Sequence, residues 1–318
     1  MTKPWLSVIS PIYNGEKYLS QALDSVVIQE DSDIECIVVN GASTDATMTI
    51  LRSYQKKLPI TIHQKKLEDN WVVKTNYALS IATGEYVCFL HHDDFWLADR
   101  LKIMKKLVKQ FPDITLFLHP TYFIDPQGNN VGQWKCPLPS QPKIIDSNFL
   151  LERLLVQNFI SILGPIVKRE TALKVGGLEE SLWYTADWDF WLKIASCGDT
   201  VYYPAPLSGF RIHPSSQTIV RSSHTQDFHD QLESVAHKHL ARWEAPAHIK
   251  EEVSKIASFS NKVNSSLAGT LHGENIDLGE LLLSFLKLGP LGWHRYLRDS
   301  RIWERTIARL RARVTAKP

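Results

Sequence analysis

Short apolar runs alternate with amphipathic segments across the first 118 residues, and this pattern constrains the fold more than any other feature. The apolar runs predict strands at 6–10, 35–39, 60–63, 86–90 and 114–118. Helical spacing of apolar residues predicts helices at 18–29, from a 43–45 cap to 54, at 72–82 and at 99–110. Strands and helices that alternate in this way form a mostly parallel, Rossmann-like sheet flanked by helices, so the predicted fold class is α/β.

The second half of the chain has a looser pattern. Asp125 to Asn129 is a turn signal between two short β-prone pieces, and helices are predicted at 147–156 and 187–197. After His224 the pattern is helical to the end, with a break near Gly289. The predicted divisions are 1–120 and 121–222 within one α/β domain, and a helical C-terminal region at 223–318.

Three polar clusters come directly after predicted strands. They are Tyr13 to Glu16, Asn40 to Asp45, and His91 to Asp94. Ligands of open α/β sheets bind beyond the carboxyl ends of the strands. We therefore expect these clusters, which are distant in sequence, to meet in space and form a site.

Asp93 and Asp94 carry the strongest local signal for chemistry. Adjacent carboxylates repel each other unless a cation or a hydrogen-bond donor lies between them. Mg²⁺ and Mn²⁺ bind to one or two carboxylates together with substrate phosphate oxygens, and His91 offers a further ligand. The competing interpretation is that these carboxylates cap the helix beginning near Asp99 or are surface charges.

Two further segments combine charge with an unusual setting. Asp187 and Asp189 begin an aromatic-rich helix and point in different directions. One can therefore face a cleft while the other caps the helix or pairs with a basic side chain. Burial among aromatic rings would raise a carboxylate pKa and suit it to general-base work. Arg211 and His213 share a face of an extended segment, where Arg can pair with a diphosphate and His with a metal. The alternative for the two aspartates is that they cap a core helix. The alternative for Arg211 and His213 is that they lie in a surface loop.

The net charge of +2, from 36 Lys+Arg and 34 Asp+Glu, hides an uneven distribution. Residues 287–317 contain nine basic and two acidic residues, a net charge of +7, which leaves −5 for the remainder. The near-neutral total argues against nucleic acid as a partner. A basic amphipathic tail with tryptophans is typical of a helix that lies on a membrane surface, and the alternative is a helix packed on the domain.

The ends and the cysteines indicate a compartment. The N-terminus lacks the organisation of a signal peptide, and the four cysteines form no C-x-x-C pair. These features predict a cytoplasmic protein, and the tail adds the inner face of the membrane as a peripheral location.

Seven segments, in order, resemble glycosyltransferase family 2, whose members have the GT-A fold. The segments are Ser7–Asn14, Glu35–Asp45, Lys74–Gly84, Phe89–Asp94, Val175–Leu178, Asp187–Leu192 and Arg211–Ser215. They resemble the family's opening strand, its aspartate-rich turn, its "ArN" helix, its "DxDD" metal motif, its "vGGfde" turn, its "EDyDlw" helix and its "R.H..S" segment. The resemblance covers about residues 5–216.

The resemblance implies an inverting glycosyltransferase that uses a nucleotide sugar, with a UDP-sugar favoured, and a divalent cation, Mn²⁺ or Mg²⁺. It makes 1–120 the nucleotide-binding half and 121–222 the acceptor half. By position, the nucleotide-binding residues are Pro11, Tyr13, Asn14, Glu16, Asn40, Glu68, Lys74 and Arg211. The metal ligands are Asp93, His91 and His213, while Asp94 touches the donor sugar and Asp187 is the general base. The implied acceptor is a glycan or a lipid-linked molecule in cell-surface polysaccharide or glycolipid synthesis.

Two positions depart from the family pattern. Asn40 and His91 stand where the family has aspartate, so fewer carboxylates face the cation. A non-catalytic relative that binds a sugar nucleotide or glycan therefore stays an alternative. A sugar-1-phosphate nucleotidyltransferase is disfavoured because Pro11 to Gly15 is not a Gly-rich basic loop. A processive synthase is disfavoured because its Q-x-x-R-W motif has only the look-alike His239 to Trp243.

Overall fold

The computed structural model describes residues 3–65, 70–213, 224–275 and 277–315. Its strands are β1 (Leu6–Ile12), β2 (Ile34–Asn40), β3 (Ile60–Gln64), β4 (Tyr86–Phe89), β5 (Phe95–Trp96), β6 (Leu116–Leu118), β7 (Thr121–Ile124), β8 (Asn130–Trp134), β9 (Lys143–Ile145), β10 (Ile166–Lys168), β11 (Thr200–Tyr202) and β12 (Ser208–Arg211). Its helices are α1 (Leu19–Val27), α2 (Thr47–Tyr54), α3 (Trp71–Ile81), α4 (Arg100–Gln110), α5 (Ser147–Val156), α6 (Arg169–Lys174), α7 (Ala186–Ala195), α8 (Thr225–Arg242), α9 (Ala247–Leu271), α10 (Leu278–Lys287), α11 (Gly289–Ser300) and α12 (Ile302–Thr315).

The central sheet has the strand order β3-β2-β1-β4-β10-β6-β11-β9. Strands β1 to β4 are mutually parallel where they pair, while β10 is antiparallel to both of its neighbours. Successive side chains of β1 point to opposite faces, so Val8 and Ile9 enter different apolar clusters, one on each side of the sheet. The prediction of a mostly parallel α/β sheet covered by helices is confirmed.

A second sheet, with the order β5-β12-β7-β8, lies beyond the end of β4. The two β-prone pieces that flank the 125–129 turn are β7 and β8, and they pair antiparallel as a hairpin. Strand β12 pairs with β5 through Gly209 and Phe95, at a point where a Cβ on Gly209 would lie 2.9 Å from the Phe95 ring. This close approach brings the end of β12 beside the segment that follows β4.

The C-terminal region is helical, as the sequence predicts, and it packs on the α/β domain. The Phe285 ring lies 5.6 Å from that of Phe259 on α9 and stacks 5.5 Å from that of Trp293 on α11. On α12, Ala308 and Ala312 are buried together with Val131 of β8. Within the described ranges, no helix has the length and apolar character needed to cross a bilayer.

Candidate functional site

The loops after β1 and β2 are tied to each other by hydrogen bonds. The Asn14 backbone N–H donates to the Ser43 hydroxyl at 2.9 Å, and the Asn14 amide oxygen accepts from the Thr44 N–H at 2.9 Å. The Glu16 carboxylate accepts from the Ala46 N–H at 2.9 Å. Asn14 has a positive φ of 47°, which Asn tolerates better than most residues, and this turns its side chain towards the second loop. Two of the three polar clusters therefore meet, as expected.

Asn40 and Lys74 form the floor of this region. Asn40 is 1% exposed, and its amide oxygen accepts a 2.5 Å hydrogen bond from the Ser43 hydroxyl. Lys74 is buried on α3, and its ammonium group lies 5.5 Å from the centroid of the Tyr13 ring. Gly41 lies against the Lys74 ammonium, so a side chain at position 41 would displace this cation. Pro11 is a buried residue of β1 beside this floor, whereas Glu68 falls outside the described residues.

His91, Asp93 and Asp94 converge after β4. Each offers one ligand atom, and these atoms all lie within 4.8 Å of one another. Burial lowers the pKa of His91 to about 4, so its imidazole is neutral at pH 7, which is the form that binds metals. The nitrogen and carboxylate donors fit Mn²⁺ or Mg²⁺. Gly15 packs on His92, since a Cβ there would lie 3.0 Å from its ring, so the third polar cluster joins the other two.

The two adjacent carboxyl groups have opposite pKa shifts. Burial acts to raise the pKa of Asp93, but the charge of His92 and the hydrogen bond from His213 outweigh it and hold that pKa well below its usual range. Burial, together with the charge of Asp93, raises the pKa of Asp94 well above its usual range. This asymmetry relieves the repulsion between the two groups, and a cation between them would favour ionisation of both.

His213 and Arg211 reach this trio from β12. The His213 imidazole donates to the Asp93 carboxylate, with Nε2 3.0 Å from Oδ2, so His213 adjoins the cluster through Asp93. Arg211 is 1% exposed, and its backbone N–H donates to the Asp94 carboxylate at 2.9 Å. Its guanidinium donates to the Asp93 carbonyl at 2.7 Å, to the Asp125 carbonyl at 3.0 Å and to the Gln21 side chain at 2.5 Å.

These bonds bear on the predicted contact of Arg211 with a diphosphate. The guanidinium faces protein acceptors in a buried setting, so a direct contact would require it to leave them. In this structure Arg211 holds the segment of the two aspartates against the second sheet. The diphosphate contact stays a prediction.

Asp187 lies in the first turn of α7 with a carboxyl group held at both oxygens. Oδ1 accepts from the Trp188 N–H at 2.8 Å, and Oδ2 accepts from the Asn158 amide at 3.2 Å. Burial raises the pKa of Asp187 to about 6, and the hydrogen bonds only partly oppose it. A carboxylate with a pKa near 6 suits general-base work close to neutral pH.

Asp189 has the opposite environment two residues later. It is fully buried, and its oxygens lie 2.8 Å from the Lys238 ammonium, 2.8 Å from His239 Nε2 and 3.0 Å from the Lys193 ammonium. Burial acts to raise the pKa of Asp189, but these partners outweigh it and lower that pKa below its usual range. The expectation that one of the two carboxylates pairs with basic groups is therefore met by Asp189, while a cleft at Asp187 stays a prediction.

Aromatic contacts place the start of α7 beside the end of β4. The Phe89 ring, two residues before His91, packs edge-on against Phe190 and Trp191 at 6.0 and 6.1 Å. Trp71 on α3 packs against His91 at 5.5 Å. The three polar clusters and the Asp187 segment thus face the same edge of the central sheet.

Two residues of this region carried no signal in the sequence pattern. Asn158 contacts Asp187, and Gln21 contacts Arg211. Each lies outside a charged or glycine-rich motif. Ser43, which bridges Asn14 and Asn40, lies within the predicted Asn40 to Asp45 cluster and in the predicted 43–45 cap.

Two of the segments that resemble the family, the one on α3 and the Gly-Gly turn, are joined by hydrogen bonds. The side chain of Asn76 on α3 donates to the Leu178 carbonyl at 2.8 Å and accepts from the Leu178 N–H at 2.9 Å. Gly177 has a φ of +66°, and a Cβ there would lie 2.6 Å from the Asn76 amide oxygen. The helix motif and the Gly-Gly motif therefore form one packing unit.

Sequence comparisons agree with this architecture. Residues 7–158 match the family model described as Glycosyl transferase family 2. An uncharacterized glycosyltransferase of Rickettsia typhi is 29% identical over 228 residues, which are 68% of this chain and 66% of the relative. One of Methanocaldococcus jannaschii is 32% identical over 196 residues, 61% of this chain and 65% of the relative. The chain spans just under two thirds of the length of these two curated relatives.

Solved structures share the fold. S. aureus TarS 1-349 in complex with UDP-GlcNAc has a TM-score of 0.70 at 19% identity, over 97% of this chain and 89% of that one. The mannosyltransferase PcManGT from Pyrobaculum calidifontis, in complex with GDP-Man and Mn²⁺, has a TM-score of 0.59 at 18% identity, over 99% of this chain and 87% of that one. Because these identities are low, the likeness concerns the fold alone. It confirms the predicted GT-A fold and its helical C-terminal region.

Proposed function

Because the chain belongs to glycosyltransferase family 2, we propose that it transfers a sugar from a nucleotide-diphosphate donor to an acceptor hydroxyl with inversion. The observation that carries this proposal is the environment of Asp187. A half-buried carboxylate with a pKa near 6, held at both oxygens, is suited to take a proton from a hydroxyl.

The proposed reaction is a single displacement. The acceptor oxygen forms a bond to the anomeric carbon while the bond from that carbon to the diphosphate oxygen breaks. The hydroxyl proton passes to Asp187 as the new bond forms. Asn158 and the Trp188 N–H orient the carboxylate, so its basic lone pair is directed to one position.

A divalent cation, Mn²⁺ or Mg²⁺, fits the donor set after β4. His91 and Asp93 would hold it, His213 would join them through its position beside Asp93, and Asp94 would support the donor sugar. When bound, such a cation neutralises the charge of a departing diphosphate. The PcManGT structure contains Mn²⁺, which supports a metal of this class.

The nucleotide would bind at the joined loops of β1 and β2. Tyr13 is 37% exposed and offers a ring face, while Lys74 supplies a buried cation beside it. We favour a UDP-sugar as donor. Of the solved neighbours, TarS was crystallised with UDP-GlcNAc and PcManGT with GDP-Man, so both bases enter the test.

The experiment is a transfer and donor-hydrolysis assay with UDP-GlcNAc and GDP-Man, with Mn²⁺, with Mg²⁺ and with EDTA. We expect turnover that requires the metal and falls by about 10²–10⁴-fold in Asp187→Asn, while nucleotide binding measured by thermal shift persists. NMR of the product identifies its anomeric configuration, and comparison with the donor tests whether the transfer inverts it. No turnover of any donor, together with no nucleotide binding, would contradict the proposal.

The second candidate is a non-catalytic relative that binds a sugar nucleotide or glycan. Asn40 and His91, which replace aspartates of the family, favour it. Nucleotide binding without turnover would select this candidate. So would a cellular phenotype that Asp187→Asn leaves unchanged.

We also propose that the C-terminal helices rest on a membrane surface, at its cytoplasmic face, where a glycan or lipid-linked acceptor of polysaccharide or glycolipid synthesis would be presented. Nine of the 14 exposed large apolar side chains in the described part of the chain lie between 278 and 310. They are Leu278, Leu282, Leu283, Leu286, Leu291, Leu297, Trp303, Ile307 and Leu310. Exposed leucines beside basic residues are typical of helices that lie in the plane of an anionic bilayer.

Vesicle sedimentation tests this surface. We expect binding to vesicles of phosphatidylglycerol and phosphatidylcholine, with weaker binding to phosphatidylcholine alone. The double variant Leu282→Glu/Leu286→Glu should lose binding, whereas Ile28→Glu, at an equally exposed site on the other domain, should keep it. Equal sedimentation of both variants would refute the surface, and dimerisation of the wild type without vesicle binding would assign it to a second copy of the chain.

A further inference from the structure

A cavity of about 570 Å³ opens between the segment that precedes α7 and the first two turns of α8. Its volume lies in the range of small-molecule sites. The residues that line it are Trp183, Tyr184, His224, Asp227, Asp230 and Gln231. None of them takes part in the metal, nucleotide or base positions described above.

The aromatic wall of the cavity is held in place by α8. The Gln231 side-chain oxygen accepts from the backbone N–H groups of Trp183 and Tyr184 at 3.0 and 3.1 Å. The Tyr184 ring packs edge-on against Phe228 at 5.2 Å, and the Trp183 ring packs against Tyr184 at 5.8 Å. Two rings are therefore fixed before any ligand arrives, which reduces the entropy that binding costs.

The polar wall determines the class of ligand. Asp227 and Asp230 are exposed carboxylates on α8, and Asp230 accepts from the Gln226 amide at 2.8 Å. Among the described residues that line the cavity, none is Lys or Arg. Carboxylates accept hydrogen bonds and repel anions, so a phosphate or an acidic lipid headgroup is disfavoured, while a neutral ligand rich in hydroxyl donors is favoured.

The aromatic wall of the cavity is close along the chain to the proposed general base. Trp183 and Tyr184 precede Asp187 by four and three residues, and the buried Thr185 connects them to the first turn of α7. A ligand held against these rings would need to extend past Thr185 to reach the Asp187 carboxylate. A sugar ring matches such a wall, because its C–H face packs on an aromatic ring and its hydroxyls donate to carboxylates.

We propose that this cavity is the acceptor subsite and that it binds a neutral oligosaccharide, with Trp183 and Tyr184 as the packing wall and Asp227 and Asp230 as hydroxyl acceptors. As an acceptor subsite it rests on the proposed glycosyl transfer. As a glycan-binding site it stands on the cavity alone.

The test measures acceptor kinetics and binding separately. With the donor that the wild type uses and with maltotetraose and chitotetraose as probes, Trp183→Ala and Asp230→Asn should each raise the acceptor KM by about tenfold, equivalent to about 1.4 kcal/mol. The donor KM and donor hydrolysis should stay unchanged. Phe149→Ala, which removes an aromatic side chain that is 37% exposed on α5, is the matched control.

Saturation-transfer NMR with the same oligosaccharides and no donor supplies the second readout. Loss of the signal in both cavity variants, with the signal kept in Phe149→Ala, supports the subsite even if no donor is turned over. The inference is overturned if an active wild type and its cavity variants share one acceptor KM. It is also overturned if neither oligosaccharide gives a signal with the wild type, or if inorganic phosphate competes for the cavity.

Discussion

Removal of the Asn158 amide should shift the pH dependence of the proposed transfer. Asn158 donates to Asp187 Oδ2 at 3.2 Å, and this bond stabilises the charged form of the carboxylate. Hydrogen bonds to charged groups contribute about 1.5–3 kcal/mol, and a length of 3.2 Å places this one at the lower end. Since one pKa unit equals about 1.4 kcal/mol, Asn158→Ala should raise the Asp187 pKa from about 6 to roughly 7.

The consequence for activity depends on pH in a defined direction. Only ionised Asp187 accepts a proton, so the rate rises as pH increases through its pKa. At pH 6 the ionised fraction should fall from about one half to about one tenth, a loss of roughly fivefold. At pH 8 it should fall only from about 0.99 to about 0.91, which is within the error of most assays.

The assay is kcat/KM for the acceptor at saturating donor, measured between pH 5 and pH 9. Asn148→Ala is the matched control, because it removes an asparagine of α5 that accepts from Trp243 at 2.8 Å and does not contact Asp187. A uniform loss across the pH range would show that Asn158 acts only on packing. An acid limb that stays near 6 in Asn158→Ala would refute the reasoning.

Two further predictions concern stability and use thermal and chemical denaturation. Asp189→Ala removes a fully buried carboxylate with three basic partners and should cost about 3 kcal/mol, since it leaves uncompensated charge, whereas Glu251→Ala at an exposed pair should leave Tm unchanged. Equal Tm values for the two variants would contradict the ion-pair cluster. Gly177→Ala and Gly176→Ala both place Ala at positive φ, but only the Cβ at 177 has a neighbour within 4 Å, so Gly177→Ala should be the less stable by about 1 kcal/mol or more. A reversed order would show that the backbone relaxes away from the contact.

Much of the fold was predictable because its signals are local. The buried runs of β1, β2 and β4 and the apolar spacing of α1, α3 and α5 are periodicities within single segments. The second sheet was not predicted beyond its β7–β8 hairpin, because β5 has two residues and β12 four, too short for a periodic signal. The pairing of β12 with β5 joins Gly209 to Phe95 across more than a hundred residues.

The location of the C-terminal helices could be predicted only in part from composition. Sequence reasoning left open whether the basic helices pack on the domain or on a membrane. The structure buries Ala308, Ala312 and Tyr296 against the domain and leaves nine large apolar side chains exposed. Composition could not separate these two sets of residues, because which face of a helix is covered depends on the shape of its neighbour.

By itself the sequence determined which reactive groups are present. It places two carboxylates after a buried strand and two more on an aromatic-rich helix, and the order of its motifs along the chain indicates the family. Only the tertiary structure decided which of these groups has a raised pKa and which is held as a charge by basic partners. Asp187 and Asp189 are two residues apart, yet the first meets Asn158 in a low-polarity setting, while the second meets Lys238 and His239 about 50 residues away. Both carboxylates are chemically identical, so their pKa values are set by partners that the fold supplies.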